Sequence, residues 1–302
     1  MTRRRLLQIA MAAAGLALTK ELMPASPLLT RPIPKSGEML PVIGLGTWQT
    51  FDVGRSESDR APLREVLGEL VKHGARGVVD SSPMYGQSES VVGDLVTELN
   101  LRPRLFLATK VWTRGREAGI RQMEQSFSRL RTDRMDLLQV HNLVDWRTQL
   151  RTLREWKEQD KIRYIGVTHY TESAYDDLER VLSAEDLDFV QINYSLAERQ
   201  AEERILPLAQ QQRIAVLTNR PFAQAGLFSK TRGKALPPFA KEIGCSSWAQ
   251  FFLKFVLSHP AVTCAIPGTS KANHLLDNLR GGEAPLPDDA IRQRMVRTVL
   301  EL

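Results

Sequence analysis

From about residue 40 onward the chain alternates between two hydrophobic patterns. Short continuous apolar runs rich in β-branched residues read as buried strands. Longer stretches with apolar positions three and four apart read as amphipathic helices. The strand runs cover 40–48, 77–80, 105–110, 136–141, 162–169, 189–194, 214–218 and 262–267. Between them helical periodicity covers 64–72, with Leu63, Val66, Leu67, Leu70 and Val71 on one face. It returns at 88–99, through Met123, Phe127 and Leu130, and at 146–159, 174–182, 202–212 and 248–257. Strands alternating with helices predict a parallel sheet, and eight such units predict a closed α/β barrel of the (β/α)8 TIM type. No linker-like stretch divides 31–302, which therefore reads as one domain behind a leader and linker over 1–30. Gly44-x-Gly46 lacks the third glycine and the immediate helix of a dinucleotide fingerprint, so a Rossmann sheet is not indicated.

In such a barrel the carboxyl ends of the strands carry the chemistry. The second run ends in Asp80, and Ser81-Ser82-Pro83 forces a turn because proline fixes its own φ and restricts its predecessor. Tyr85 follows on the loop, and Ser88-Glu89-Ser90 can start the next helix by side-chain capping. The third and fourth runs finish in Lys110 and His141. If these strands are neighbours, Asp80, Tyr85, Lys110 and His141 converge on one pocket. Taken singly, each has a plainer reading. Lys110 can be half of a structural ion pair with Asp80, Tyr85 a loop residue, and His141 a hydrogen-bonded core histidine.

Together, D-x-x-x-x-Y-G-x-S-E from Asp80, Thr109-Lys110-Val111-Trp112, and Val140-His141 closing a strand resemble the aldo-keto reductase family. The resemblance runs from about Pro34 over nearly the whole chain. It implies a catalytic tetrad of Asp80, Tyr85, Lys110 and His141, and the reduction of aldehydes or ketones to alcohols with hydride from a nicotinamide cofactor. A free phenol, with a pKa near ~10, exchanges its proton poorly at neutral pH. Lys110 is expected to lower the Tyr85 pKa, Asp80 to keep Lys110 charged, and His141 to orient the substrate oxygen.

The same resemblance puts Gly46, Thr47 and Trp48 beside cofactor or substrate and Gln191 on the nicotinamide carboxamide. Thr168-His169 stands where the family usually has Ser-Asn. Asn219, followed by Arg220 and Pro221, stands where it usually has a stacking aromatic. Pro267, Gly268, Thr269, Ser270 and Lys271, continuing to Asn278, resemble the adenosine-phosphate segment, and Gly268 and Thr269 precede a helix N-terminus that can take a phosphate. His274 matches the family's phosphate-clamping arginine, and Asn278 its adenine-contacting asparagine. Ser270 and Lys271 can serve a 2′-phosphate, so NADP is expected over NAD. The departures at the nicotinamide contacts keep a second reading open, a nucleotide-binding regulatory or interaction subunit of the same fold. The family also implies a small hairpin plugging the barrel bottom ahead of the first strand. Trp48, Trp112 and Phe222 are candidate walls of the substrate pocket.

The formal charge is +6. Half of it sits in the first 25 residues, where Arg3, Arg4, Arg5 and Lys20 face only Glu21. The rest is interspersed with acidic residues, which argues against nucleic-acid binding. The charged start and the apolar run from Ile9 to Leu18 have the form of a signal peptide, and Arg3-Arg4-Arg5-Leu6-Leu7 resembles a twin-arginine signal. That implies transfer of folded protein by the twin-arginine export machinery, to the periplasm or to attachment on the periplasmic side of the membrane. The nearest cleavage site is Met23-Pro24-Ala25, and a disordered or surface-helical N-terminus is the alternative. Cys245, in a predicted helix, and Cys264, in a predicted strand, read as buried free thiols. The five histidines lack ligand spacing, so no metal is expected. A monomer acting on a small-molecule carbonyl is expected.

Overall fold

Successive strand residues face opposite sides, and the two sides of this sheet meet different surroundings. The computed structural model describes residues 27–73 and 76–302. An antiparallel hairpin comes first, β1 (Thr30–Pro32) with β2 (Met39–Pro41). Then β3 (Leu45–Gly46), β4 (Gly77–Asp80), β5 (Leu105–Val111), β6 (Met135–His141), β7 (Ile162–Thr168), β8 (Phe189–Asn193), β9 (Ala215–Asn219) and β10 (Val262–Ala265) pair side by side in chain order, all parallel. Bridges from Ile43 to Ala265 and from Gly46 to Gly268 bring the last strand back to the first, so the eight-stranded sheet is a nearly closed barrel. Glycine is needed at this seam, because a Cβ on Gly46 would lie 2.8 Å from the Ile266 carbonyl oxygen.

The helices are α1 (Glu57–Lys72), α2 (Ser88–Glu98), α3 (Arg116–Leu130), α4 (Trp146–Glu158), α5 (Tyr175–Ala184), α6 (Ile205–Gln211), α7 (Gly226–Thr231), α8 (Trp248–Ser258), α9 (Ala272–Arg280) and α10 (Asp289–Leu300). One strand face, with Val79, Leu107, Leu138, Val140, Ile165, Val190 and Val216, joins their apolar sides in one core. The opposite face fills the barrel with Val78, Phe106, Leu137, Phe189, Leu217 and Ile266. Phe106, Tyr164 and Phe189 pack together there with ring centroids 5.6 to 6.0 Å apart. Ile33 and Leu40 of the hairpin join this interior group and close its lower end. Glu38 in the hairpin pairs with Arg76 at 2.8 Å and Arg163 at 2.6 Å, and both arginines also reach Asp136. The expected plug is therefore held by charge as well as by packing.

Some boundaries differ from expectation. The apolar run 40–48 splits, Leu40-Pro41 going to the hairpin and only Leu45–Gly46 to the barrel ladder. α1 starts at Glu57 rather than 64, because Ser56 Oγ accepts from the Asp59 amide at 3.2 Å and the helix runs on through Pro62. Cys245 lies not in a helix but in the turn after Gly244, whose φ of 68° ends a 3-10 segment, Pro238–Ile243. Both cysteines are free and buried. Leu28 and Leu29 already pair with Glu283 and Gly282, so the chain joins the barrel slightly ahead of residue 31. The Arg3-Arg4 leader lies outside the described residues.

Candidate active site

The period-two alternation that buries Val78, Phe106, Ala108, Leu137, Phe189 and Leu217 inside the barrel continues upward to polar residues on the same face. Continuing it gives Asp80, Lys110, Gln139 with His141, Gln191 and Asn219. The lower interior is thus apolar and the carboxyl end polar, with three titratable groups, Asp80, Lys110 and His141, on the same face.

Asp80 Oδ2 accepts from Lys110 Nζ at 2.6 Å, and both side chains are buried. The ammonium also donates to the Ser81 carbonyl at 2.8 Å. Asp80 Oδ1 accepts from Gln191 Nε2 at 2.9 Å and from Gln139 Nε2 at 3.4 Å. Burial pulls the Lys110 pKa down, but the charge of Asp80 and the nearby Tyr85 outweigh it and hold the ammonium above its ordinary value. Lys110 Nζ lies 5.0 Å from the centroid of the Tyr85 ring. Burial, together with the Asp80 charge, raises the Tyr85 pKa by more than Lys110 lowers it. The expected pull of Lys110 is therefore present, while the net shift of the phenol is upward, a correction to the sequence reading. His141 packs edge-on against Tyr85 at 6.0 Å between centroids, with Nδ1 3.2 Å from Ser82 Oγ. Burial, then the Lys110 charge, lower its pKa to about 3, so the imidazole is neutral.

The junction after β4 is fixed locally. Ser81 N donates to Ala108 O at 2.9 Å and Tyr85 N to Ser82 O at 3.0 Å. Gly86 has φ 56°, and a Cβ there would fall 2.2 Å from the Asp52 carboxylate, which accepts from the Gln87 amide. Glu89 is buried against Thr109 Oγ1 at 2.5 Å and Arg129, so it anchors α2 rather than facing the pocket.

The expected cofactor residues separate into several settings. Gly46 and Gly268 meet at the seam. Thr47 is fully buried and its hydroxyl bonds Asp80 O and Ser81 Oγ, each at 3.0 Å, so it braces the tetrad. Trp48, Met84, Trp112 and Tyr170, each following a barrel strand, are exposed. Phe222, expected as a third wall, instead packs on Phe228 and Phe252 at 4.8 and 6.4 Å, since the chain after β9 turns it toward α7 and α8. The Gln191 amide is engaged at both ends, its Oε1 accepting from Thr168 Oγ1 at 3.3 Å. His169 stacks on Tyr170, and its Nδ1 accepts from the Thr171 amide at 3.3 Å. Arg220 donates to Tyr170 O at 3.0 Å and pairs with Glu198 at 3.1 Å, tying the chain after β9 to the loops after β7 and β8, with Pro221 buried beside it. Thr269 Oγ1 accepts from the Lys271 amide at 3.1 Å just before α9. Ser270 is half-buried there beside buried Pro267, Lys271 and His274 are exposed, and Asn278 is buried farther along the helix.

A nicotinamide dinucleotide suits this end of the barrel. Thr218 Oγ1, Asn219 Oδ1, Arg220 Nε, Asn142 Oδ1 and Gln139 Oε1 are buried there without partners among the described residues. Unpaired buried polar atoms are costly, and a ligand rich in amide and hydroxyl groups can satisfy them. Gln139 was missed in the sequence. Its signal was a polar residue in an apolar strand, two positions before His141 and on the same face.

Fold and rim define a (β/α)8 barrel with a buried acid–lysine pair beside a tyrosine. A sequence model described as the aldo/keto reductase family matches residues 42–294. Methylglyoxal reductase YeaE of Escherichia coli (strain K12) is 30% identical over 284 residues, covering 88% of this chain and 97% of that protein. Aldo-keto reductase YhdN of Bacillus subtilis (strain 168) is 32% identical over 190 residues, covering 58% and 56% of the two chains. The crystal structure of an aldo-keto reductase from Klebsiella pneumoniae in complex with NADPH gives a TM-score of 0.75 at 27% identity, covering 91% of this chain and 95% of that one. A second K. pneumoniae structure, in complex with NADP and acetate, gives 0.72 at 28% identity, covering 87% and 93%. The chain therefore belongs to the aldo/keto reductase family of oxidoreductases.

Proposed function

We propose that this protein reduces aldehyde or ketone carbonyls to alcohols with NADPH, Tyr85 delivering the proton. The reading is carried by the buried Lys110–Asp80 pair at 2.6 Å, its ammonium 5.0 Å from the Tyr85 ring centroid. A bound nicotinamide dinucleotide supplies the hydride. Tyr85 keeps its proton at neutral pH, because burial holds the phenol above its ordinary pKa. As the proton leaves, Lys110 offsets the charge of the phenolate, and Asp80 keeps Lys110 an ammonium. The uncharged His141 offers a hydrogen bond to the substrate oxygen, where charge develops. Ser270, Lys271 and the start of α9 are suited to a 2′-phosphate, and the K. pneumoniae relatives hold NADPH and NADP, which together favour NADP over NAD. Purified protein given NADPH and a panel of carbonyls tests this, small 2-oxoaldehydes coming first because of the similarity to YeaE. Turnover is expected. Nucleotide binding with no turnover across the panel would favour a regulatory subunit instead.

For the leader, we propose export of the already folded barrel, supported by the paired arginines and apolar run in the sequence. Arg3→Lys with Arg4→Lys should leave active protein in the cytoplasm, while the parent chain fractionates outside it. Parent protein confined to the cytosol would refute export.

A further inference from the structure

The Ser82 hydroxyl stands between two groups, one of which hydrogen-bonds the substrate in the function proposed above. Its oxygen accepts from the Met84 amide at 3.3 Å and lies 3.2 Å from His141 Nδ1, with Ser82 0% exposed. A backbone N–H can only donate, so toward Met84 the Ser82 oxygen is the acceptor. The hydroxyl proton then needs an acceptor of its own, where bulk water does not reach. Among the described residues that acceptor is His141 Nδ1. Were Nδ1 protonated and donating to Ser82, the oxygen would take two donors and its own proton would be stranded, which is unfavourable for a buried hydroxyl.

We propose that Ser82 is a positioning residue that fixes His141 in the tautomer with its proton on Nε2, so that the ring presents a donor to the substrate oxygen. The proposal rests on the reading that His141 faces a carbonyl oxygen. That oxygen, and the alkoxide it becomes, accept hydrogen bonds, so a bare Nε2 lone pair would oppose the reaction where Nε2–H assists it. The tautomer matters because the imidazole is neutral, whereas an imidazolium donates from both nitrogens. Ser82 also belongs to the same turn as Tyr85, whose amide bonds the Ser82 carbonyl at 3.0 Å. One turn thus carries the proton donor and sets the proton of the group beside it.

The test uses the full chain with histidine labelled by the heavy nitrogen isotope. His141 signals are assigned by their loss in His141→Gln. The expected result in the parent protein is an unprotonated Nδ1 and a protonated Nε2. Ser82→Ala should give mixed tautomers and lower kcat by roughly three- to tenfold, the value of one hydrogen bond, with KM for NADPH unchanged. Ser82→Cys keeps a weak donor of similar size and should recover part of both losses. A proton on Nδ1 in the parent protein overturns the proposal, and so does a Ser82→Ala kcat equal to that of the parent. The tautomer is read without turnover, so a failure of the carbonyl-reductase reading, seen as inactivity on every carbonyl offered, stays distinguishable from a failure of this one.

Discussion

Replacing Lys110 by methionine separates what the buried pair does for the fold from what it does for the reaction. The Lys110 side chain is 0% exposed and that of Asp80 4%, with nitrogen and oxygen 2.6 Å apart. Methionine keeps the length of the side chain and removes the charge. Asp80 is then left buried with only the Gln191 and Gln139 amides, at 2.9 and 3.4 Å. Removing one member of a buried pair typically costs about 3–5 kcal/mol, because the survivor keeps its desolvation penalty. Removing both charges is often close to neutral. Lys110→Met should therefore lower unfolding free energy by ~3–5 kcal/mol, and Asp80→Asn with Lys110→Met should return to within ~1–2 kcal/mol of the parent, measured by urea unfolding. Turnover should behave differently. It should fall in Lys110→Met by ~10²–10⁴-fold and stay low in the double variant, since neither restores the ammonium beside Tyr85. A single variant losing less than ~1 kcal/mol would show that Asp80 is not stranded by the change. A double variant regaining full turnover would reduce Lys110 to a structural residue.

Tyr85→Phe should lower carbonyl reduction by ~10²–10⁴-fold while leaving NADPH affinity nearly intact, read by turnover and by nucleotide titration. The pH profile of kcat should carry no inflection between roughly pH 5 and 8, because His141 titrates at about 3 and reduction declines only as the raised Tyr85 phenol ionises in alkali. A break near the ordinary histidine value would contradict this. Lys271→Ala should weaken NADPH binding by about tenfold with little effect on NADH, and equal losses for both would reject a 2′-phosphate role. At the barrel bottom, burial works against the Glu38 and Asp136 charges, but Arg163, Tyr164, Arg76 and Arg102 outweigh it and hold both carboxyls below their ordinary values. Their contribution is present above the unfolded-chain pKa of about 4 and fades as pH falls through the lower folded values, so acid should destabilise the parent more steeply than Glu38→Gln.

The strands were legible because a parallel strand is buried on both faces and reads as an unbroken apolar run. That same property hid the split at Leu40-Pro41, where hairpin and barrel share one run and periodicity does not mark the change of sheet. Pro62 removes one backbone donor inside α1, yet the remaining turns carry the helix through it. Asp80, Tyr85, Lys110 and His141 were legible because each closes or follows a strand in a fixed local setting. What holds them was not. Ser82 on His141, Gln139 and Gln191 on Asp80, and Arg220 on Tyr170 and Glu198 are contacts between distant segments, and nothing local in the sequence announces them.

With Tyr85 as the proposed proton donor, its upward shift bears on which direction of reaction the site would favour. A donor must hold its proton until the carbonyl oxygen gains charge, and a phenol ionised at neutral pH would have nothing to give. Burial raises the Tyr85 pKa and so keeps the proton in place before reaction. Lys110 acts against burial, and its effect grows as the phenolate forms, because a full negative charge then lies beside the buried ammonium. Burial therefore sets the resting state, and Lys110 lowers the cost of leaving it. Oxidation of an alcohol needs the reverse, a phenolate ready to accept a proton, and a raised pKa makes that form scarce at neutral pH. Under the proposed function, the same pair of effects would assist reduction near neutrality and leave oxidation to alkaline conditions.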